Sequence, residues 1–441
     1  MSMKRYVNLN PSQLLVVIFV ISISIGTFLL KLPFATYDSI KWVDALFIST
    51  SAMTVTGLAT VDPGTTFTLF GQMIIAFLIQ VGGLGIMSFA VLIFLVLGKK
   101  IGLKERLLIQ HALNQTSVGG VIKLVKYLFL FSITIELMAM LFLSIRWVPQ
   151  FGWSKGLFYS FFHSISAFNN AGFALWPDNL MQFVGDPLVN IVISVLFIIG
   201  GIGFVVLVNI WQKRSFKKLS LHTKLMIVGT FMMNLIAMVF LFCVEYHNPY
   251  TLGGLTFGEK LWASYFQAVS PRTAGFNTLD ISQLDETSLF FIMILMFIGA
   301  GSGSTGGGIK LTTALVITLA TISFLRGKNE VVVAKRTIPS STIGKTLAIT
   351  MTSILFVILG ILLLNITENQ TPFLDLMFEV VSAFGTAGLS TGVTAGLTAI
   401  GKQMIIFTMF IGKLGPLTLM FSLATKSKDK IRYPQEEILT G

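Results

Sequence analysis

The chain has 441 residues, of which 54% are hydrophobic and only 11% charged, with a formal net charge of +12. A soluble protein carries roughly a quarter charged residues, so this composition, with a mean hydropathy of +0.83, excludes an ordinary soluble domain. The positive surplus does not form a nucleic-acid surface, because it is confined to a few short linkers at 98–106, 212–218, 326–336 and 426–432.

In chain order, the first apolar run is 12–30, and no small-residue cleavage site follows it, so it reads as a spanning helix and not a signal peptide. Then comes FISTSAMTVTGLAT (47–60), a second apolar run (67–97) and a basic linker. The same order returns three times. FHSISAFNNAGFAL (162–175) lies between runs 124–145 and 188–211. FQAVSPRTAGFNTL (266–279) lies between 224–244 and 288–325, and FEVVSAFGTAGLST (378–391) between 345–364 and 403–425. The four short segments align without gaps on Gly57, Gly172, Gly275 and Gly388.

These spacings predict an all-α membrane protein of four helix–pore loop–helix units, eight transmembrane helices around one central pore. The units are 1–97, 124–211, 224–325 and 344–425. The linkers are 98–123, 212–223 and 326–343, with a tail at 426–441. Basic linkers alternate with acidic ones, which by the positive-inside rule places both termini in the cytoplasm. The LLIQHAL-containing part of 99–126 reads as a partly helical cytoplasmic linker.

Each segment before its glycine is too short to span a bilayer. It must enter and leave on one side, and non-helical backbone at that depth requires surrounding protein or a water-filled cavity. Glycine permits the positive φ that a row of inward-facing carbonyls needs. Such carbonyls replace the hydration shell of a cation. Half-helices aiming their negative C-terminal ends at the axis favour a cation too.

Each second run has its own glycine cluster: VGGLG (81–85), IGGIG (199–203), GAGSGSTGGG (299–308) and IGKLGP (411–416). The third contains GSGSTG, a dinucleotide-type pattern, but no strand precedes it and no soluble helix follows. It reads instead as a flexible break below the pore loops, able to block a cation path and swing aside.

Several residues stay open. Lys413, between Gly412 and Gly415, is an intramembrane cation and is read as functional in preference to snorkelling. Lys310 lines an inner cavity or starts a helix. Glu136 makes a structural hydrogen bond or couples ions, and shows no obvious partner. Arg272 braces the third pore loop or acts electrostatically at its entrance. Cys243 is read as a small buried residue, and as the single cysteine it excludes an intramolecular disulfide. The four histidines make no ligand spacing, and no catalytic set appears, so the chain is not read as an enzyme.

TVTGL (54–58), FNNAGF (168–173), SPRTAGFN (270–277) and SAFGTAGLS (382–390) together resemble the Trk/Ktr/HKT superfamily of cation transporters, closest to the bacterial KtrB/KtrD-type membrane subunits. The resemblance implies potassium uptake across the cell membrane by a K⁺-selective subunit, often Na⁺-dependent, with Na⁺ as an activator. It implies a homodimer in the lipid bilayer, gated by a cytosolic RCK ring (KtrA/KtrC-like) that binds the nucleotide in place of this chain. It implies filter carbonyls at Val55-Thr56-Gly57, Asn170-Ala171-Gly172, Thr273-Ala274-Gly275 and Thr386-Ala387-Gly388. Relatives with serine at the first glycine tend to pass Na⁺, so Gly57 favours K⁺. The implied gate is Gly299, Gly301, Ser302, Gly303, Ser304, Thr305, Gly306, Gly307, Gly308 and Lys310, contacted by Lys413 where the family commonly has arginine. Lysine keeps the charge without the bidentate fork, and the extra glycines suggest a more mobile loop. The alternative within transport is an alternating-access K⁺/Na⁺ symporter, disfavoured because all four units share one orientation.

Overall fold

The computed structural model describes residues 11–85, 88, 121–328 and 330–415. The calls made above for the linker at 98–120, the far end of the first unit and the tail at 426–441 lie outside those residues.

Four helices are long and apolar enough to cross a membrane, with candidate spans Gln13–Leu30, Val125–Phe151, Leu221–Glu245 and Ser340–Thr367. We call the helices containing them α1 (Pro11–Leu30), α4 (Val121–Phe151), α8 (Leu221–Glu245) and α12 (Ser340–Thr367). A 25-residue helix extends about 38 Å, against a hydrocarbon thickness of about 30 Å. Large apolar side chains are exposed on them, as at Phe28, Leu141, Phe231 and Met351, which suits contact with lipid. Cys243 lies exposed on α8, contrary to expectation. Hydropathy cannot separate a lipid-facing position from a buried one, because both are apolar.

Each long helix is followed by a short one: α2 (Trp42–Thr54), α5 (Trp153–Phe168), α9 (Phe257–Val269) and α13 (Phe373–Gly385). At 13 to 16 residues these reach about 20–24 Å. Their starts are set locally. Thr256 and Glu259 form a reciprocal capping box on α9, for example. Some buried hydroxyls inside them return to the preceding turn, as Thr54 Oγ1 donates to the Thr50 carbonyl at 2.7 Å and Ser160 Oγ to Gly156 at 2.8 Å. Each such bond offsets the cost of burying its hydroxyl.

The second helices are α3 (Leu69–Leu84), the pair α6 (Pro187–Ile202) and α7 (Phe204–Lys213), the pair α10 (Glu286–Phe297) and α11 (Leu311–Leu325), and α14 (Ala399–Leu414). Sequence suggested a break in the third alone. Among the described residues, the helix path also ends at the glycine clusters of the other three units. Gly85, Gly203 and Gly415 adopt φ 85°, 104° and 82° with ψ 132–135°, which leaves the helix path. At Gly203 the chain turns by 93° between α6 and α7. Earlier in the same clusters, a methyl group on Gly82, Gly200 or Gly412 would overlap the carbonyl oxygen of Met53, Phe168 or Phe384. These glycines let each second helix press against the end of its short helix.

A small hairpin, β1 (Val332–Val333) with β2 (Arg336–Thr337), joins α11 to α12. Ala334 and Lys335 both take positive φ, the geometry of a tight primed turn.

The first and last units meet through α14 packed on α2. There Lys402 Nζ donates to Asp44 Oδ1 at 2.9 Å, with both side chains nearly enclosed. Removing one partner leaves an uncompensated charge. Lys402→Met should therefore destabilise the purified protein by about 2–3 kcal/mol, read as a lower melting midpoint in detergent. Adding Asp44→Asn should recover most of that loss.

Candidate functional site

The four short helices converge, and their C-terminal turns build the site. In three of them the terminus is a Schellman motif. The N–H groups of Val55, Asn170 and Thr386 donate to Ala52, Ala167 and Ala383, and those of Thr56, Ala171 and Ala387 to Ser51, Ser166 and Ser382. Glycine normally occupies the left-handed position of this motif. Here it is Val55 (φ 51°), Asn170 (58°) and Thr386 (47°), with Thr273 (73°) at the matching place in the third unit. Left-handed backbone at residues with a Cβ costs on the order of 1–3 kcal/mol each and clusters where function demands it. Pro271 alters the third terminus, where Ala274 donates to Ser270 instead.

Two residues later the backbone turns left-handed again, at Gly57 (96°), Gly172 (68°), Gly275 (75°) and Gly388 (83°). These four glycines meet in cyclic order. A methyl group on Gly57 would lie 2.5 Å from the Ala171 oxygen and 3.1 Å from Gly172 Cα. One on Gly172 would lie 2.7 Å from Gly275 Cα, and one on Gly275 2.7 Å from the Ala387 oxygen. One on Gly388 would overlap the Thr56 oxygen, which closes the ring. Thr56, Ala171, Ala274 and Ala387, between the two left-handed positions, are all buried. The twelve residues singled out from sequence are thus brought together around one ring.

Residues 299–310 lie against the helix-end side of that ring. Their ends are pinned, with Ile298 bridging Ile309 and the Ile309 N–H donating to Phe297 at 3.3 Å. Gly301 N–H donates to Gly201 at 2.8 Å, and Phe204 N–H to Gly303 at 3.0 Å, which ties the loop to the break between α6 and α7. The left-handed residues hold it from the ring. Thr386 Oγ1 accepts from Gly307 N–H at 2.8 Å, and Asn170 Oδ1 from the Thr305 hydroxyl at 2.8 Å. Methyl groups on Gly306 and Gly307 would strike Thr273 Oγ1 and Thr386 Oγ1. The glycines therefore serve close packing, and the loop is clamped where sequence suggested free mobility. The side chains of Asn170 and Thr386 hold the loop by hydrogen bonds and that of Thr273 by close packing, which only the fold reveals.

Two lysines grip the same loop. Lys413 Nζ donates to the Thr305 carbonyl, and Lys310 Nζ to Gly306 at 2.7 Å. Lys310 is also the residue from which α11 starts, which is one of its two sequence readings.

Glu136 has partners after all. It accepts from Gln80 Nε2 at 3.0 and 3.1 Å and from Ser132 Oγ at 2.8 Å, while Asn169 Nδ2 donates to Gln80 Oε1 at 2.6 Å. Gln80 and Asn169 belong to different helices, and no spacing in the chain signals their meeting. Arg272 is buried, with Nη1 donating to Asn234 Oδ1 on α8 at 3.2 Å, which links the third turn to that helix.

Acidic residues lie at the starts of α9 and α10. Backbone and hydroxyl hydrogen bonds from Thr256 hold the Glu259 carboxyl below its ordinary range. Hydrogen bonds from Thr287 do the same for Asp285. Both are anionic at neutral pH.

The family model for TrkH, described as cation transport protein, matches residues 6–432. This chain belongs to the TrkH family. It is 60% identical to the Ktr system potassium uptake protein B of Bacillus subtilis, covering 99% of this chain and 98% of that one. It is 44% identical to the protein of the same description from Vibrio alginolyticus, over 94% and 91% of the two chains. It is 38% identical to the potassium/sodium uptake protein NtpJ of Enterococcus hirae, over 98% of each. The crystal structure of the potassium transporter TrkH from Vibrio parahaemolyticus superposes with a TM-score of 0.74 at 21% identity, covering 96% of this chain and 86% of that one. That likeness speaks to the TrkH fold. The mostly helical architecture expected from sequence is the one found.

Proposed function

We propose that this TrkH-family chain is the ion-conducting subunit of a potassium uptake system in the cell membrane. The observation that carries this reading is the closed ring of Gly57, Gly172, Gly275 and Gly388, each preceded by a second left-handed residue. Alternating handedness turns successive carbonyls toward one axis, where they replace water around a dehydrated cation. Val55-Thr56-Gly57, Asn170-Ala171-Gly172, Thr273-Ala274-Gly275 and Thr386-Ala387-Gly388 act as the filter, and ionised Glu259 and Asp285 enrich cations at its mouth. Residues 299–308 act as the gate. Lys310 and Lys413 hold it shut by gripping its carbonyls and placing positive charge below the filter.

The relatives' names support K⁺ as the transported ion, and the Enterococcus hirae name admits Na⁺. In this reading Na⁺ is an activator, the protein is a homodimer with cytoplasmic termini, and a separate RCK ring binds the regulatory nucleotide. The loop lies on one side of the ring only. A gated pore therefore fits better than an alternating-access symporter, which needs a second closure. In cells lacking their own K⁺ importers, this chain with an RCK partner should restore growth at low K⁺. Absence of rescue with and without the partner, at normal membrane expression, would overturn the proposal.

A further inference from the structure

The residue nine positions before each ring glycine is Ile48, His163, Phe266 or Glu379. All four are fully buried on the short helices. The first and third are apolar, and Phe266 packs edge-on against Phe197 with ring centres 5.8 Å apart. The second and fourth do something different.

His163 Nδ1 is 2.8 Å from the Tyr159 carbonyl, and its Nε2 is 3.3 Å from the N–H of Leu175. A carbonyl accepts and an N–H donates, so the ring must be neutral with its proton on Nδ1. Trp176 stacks on it at 4.4 Å and Trp147 meets it edge-on at 5.1 Å, which fixes the ring plane. Leu175 lies three residues beyond Gly172, on the strand leaving the filter. Glu379 does the same in the fourth unit with different chemistry. Its Oε2 accepts from Ser390 Oγ at 2.8 Å and its Oε1 from Thr394 Oγ1 at 2.5 Å. Ser390 lies two residues beyond Gly388 and also accepts from Gly392 N–H at 3.0 Å. The ring contacts run 57–172–275–388–57, so the second and fourth units face each other across the axis.

We infer that His163 and Glu379 are positioning residues of the filter, two staples on opposite sides that fix the strands leaving Gly172 and Gly388 and thereby sharpen cation discrimination. The first and third units have only apolar packing at this register and are tied nearer the glycine, where Ser51 Oγ accepts from Gly57 N–H and Ser270 Oγ donates to the Phe276 carbonyl, so the outer staples of His163 and Glu379 lie along one diagonal. The inference rests on the filter reading above. A carbonyl ring that can breathe accepts smaller cations by closing on them, so loss of a staple should act on selectivity before it acts on assembly.

The test measures K⁺ and Na⁺ flux in liposomes containing full-length protein. His163→Phe keeps ring volume and Glu379→Met keeps chain length, while both lose the hydrogen bonds. Each should lower the K⁺ over Na⁺ preference about tenfold, with dimer yield and melting midpoint near those of the parent. His163→Gln and Glu379→Gln, which can still bond, should keep the preference within about threefold. If the buried variants fail to fold, Ser390→Ala combined with Thr394→Val removes the fourth staple from its other side and should give the same loss. Gly57→Ser is run in parallel. If it alters the preference while the folded staple variants do not, the inference is wrong. If Gly57→Ser is also silent, the filter reading itself falls.

Discussion

Replacing Gly388 with alanine should lower K⁺ uptake at least 100-fold, a rise of about 2.7 kcal/mol in the barrier. The added methyl would overlap the Thr56 carbonyl oxygen and lie 3.1 Å from Gly57 Cα. Both are backbone atoms of another filter segment, so neither can rotate away as a side chain would. The left-handed φ of 83° adds roughly 1 kcal/mol of strain. The Thr56 carbonyl must move, and it belongs to the proposed ion-binding row of the first unit. Gly152→Ala separates the two effects. Gly152 has φ 81° but nothing within 4 Å of a built Cβ, so its variant carries the strain without the collision. It should keep parental uptake and selectivity. If the Gly388→Ala protein folds and transports K⁺ normally, the ring does not conduct.

Deleting residues 302–305 should raise K⁺ flux about tenfold and weaken control by the proposed cytosolic partner. The energetic reason is the number of contacts that hold the loop against the filter. Deletion removes the Thr305 hydrogen bond to Asn170 and the Thr305 carbonyl that Lys413 grips. Each such bond is worth about 1 kcal/mol, more where an ammonium is the donor. The remaining ends stay paired through Ile298 and Ile309, so the shortened loop can close without unfolding its helices. Lys413→Met should act in the same direction with smaller size. Flux is measured in liposomes with and without the nucleotide-binding partner. A folded deletion protein that conducts no K⁺ would make the loop a structural part of the pore.

Much of this architecture can be read from the chain because membranes impose strong local rules. Helices of 25 to 31 residues need continuous apolar runs, and these are visible at 224–244 and 124–145. The positive φ of Gly57, Gly172, Gly275 and Gly388 follows from four aligned copies of one pattern. Other features escape such reading. Val55 and Thr386 are β-branched and have no local preference for left-handed backbone, so only the packed ring forces it on them. The meeting of Gln80, Glu136 and Asn169 joins parts of the chain that are 33 to 89 residues apart. Hydropathy also misplaced Cys243, because lipid and protein interior select the same residue types.

GAGSGSTGGGIK shows where the boundary lies. Its flanking apolar runs are enough to set it inside a membrane protein and to reject the nucleotide pattern it contains. Its glycines suggested freedom, yet they are there because Thr273 and Thr386 approach too closely for any side chain. Sequence alone pointed to the repeated helix–short helix–helix pattern and its glycines, since each rests on local apolarity and repetition. Tertiary structure alone decided which residues grip the loop, which strands are stapled and how the ring closes, since those contacts join segments that only the folded chain brings together.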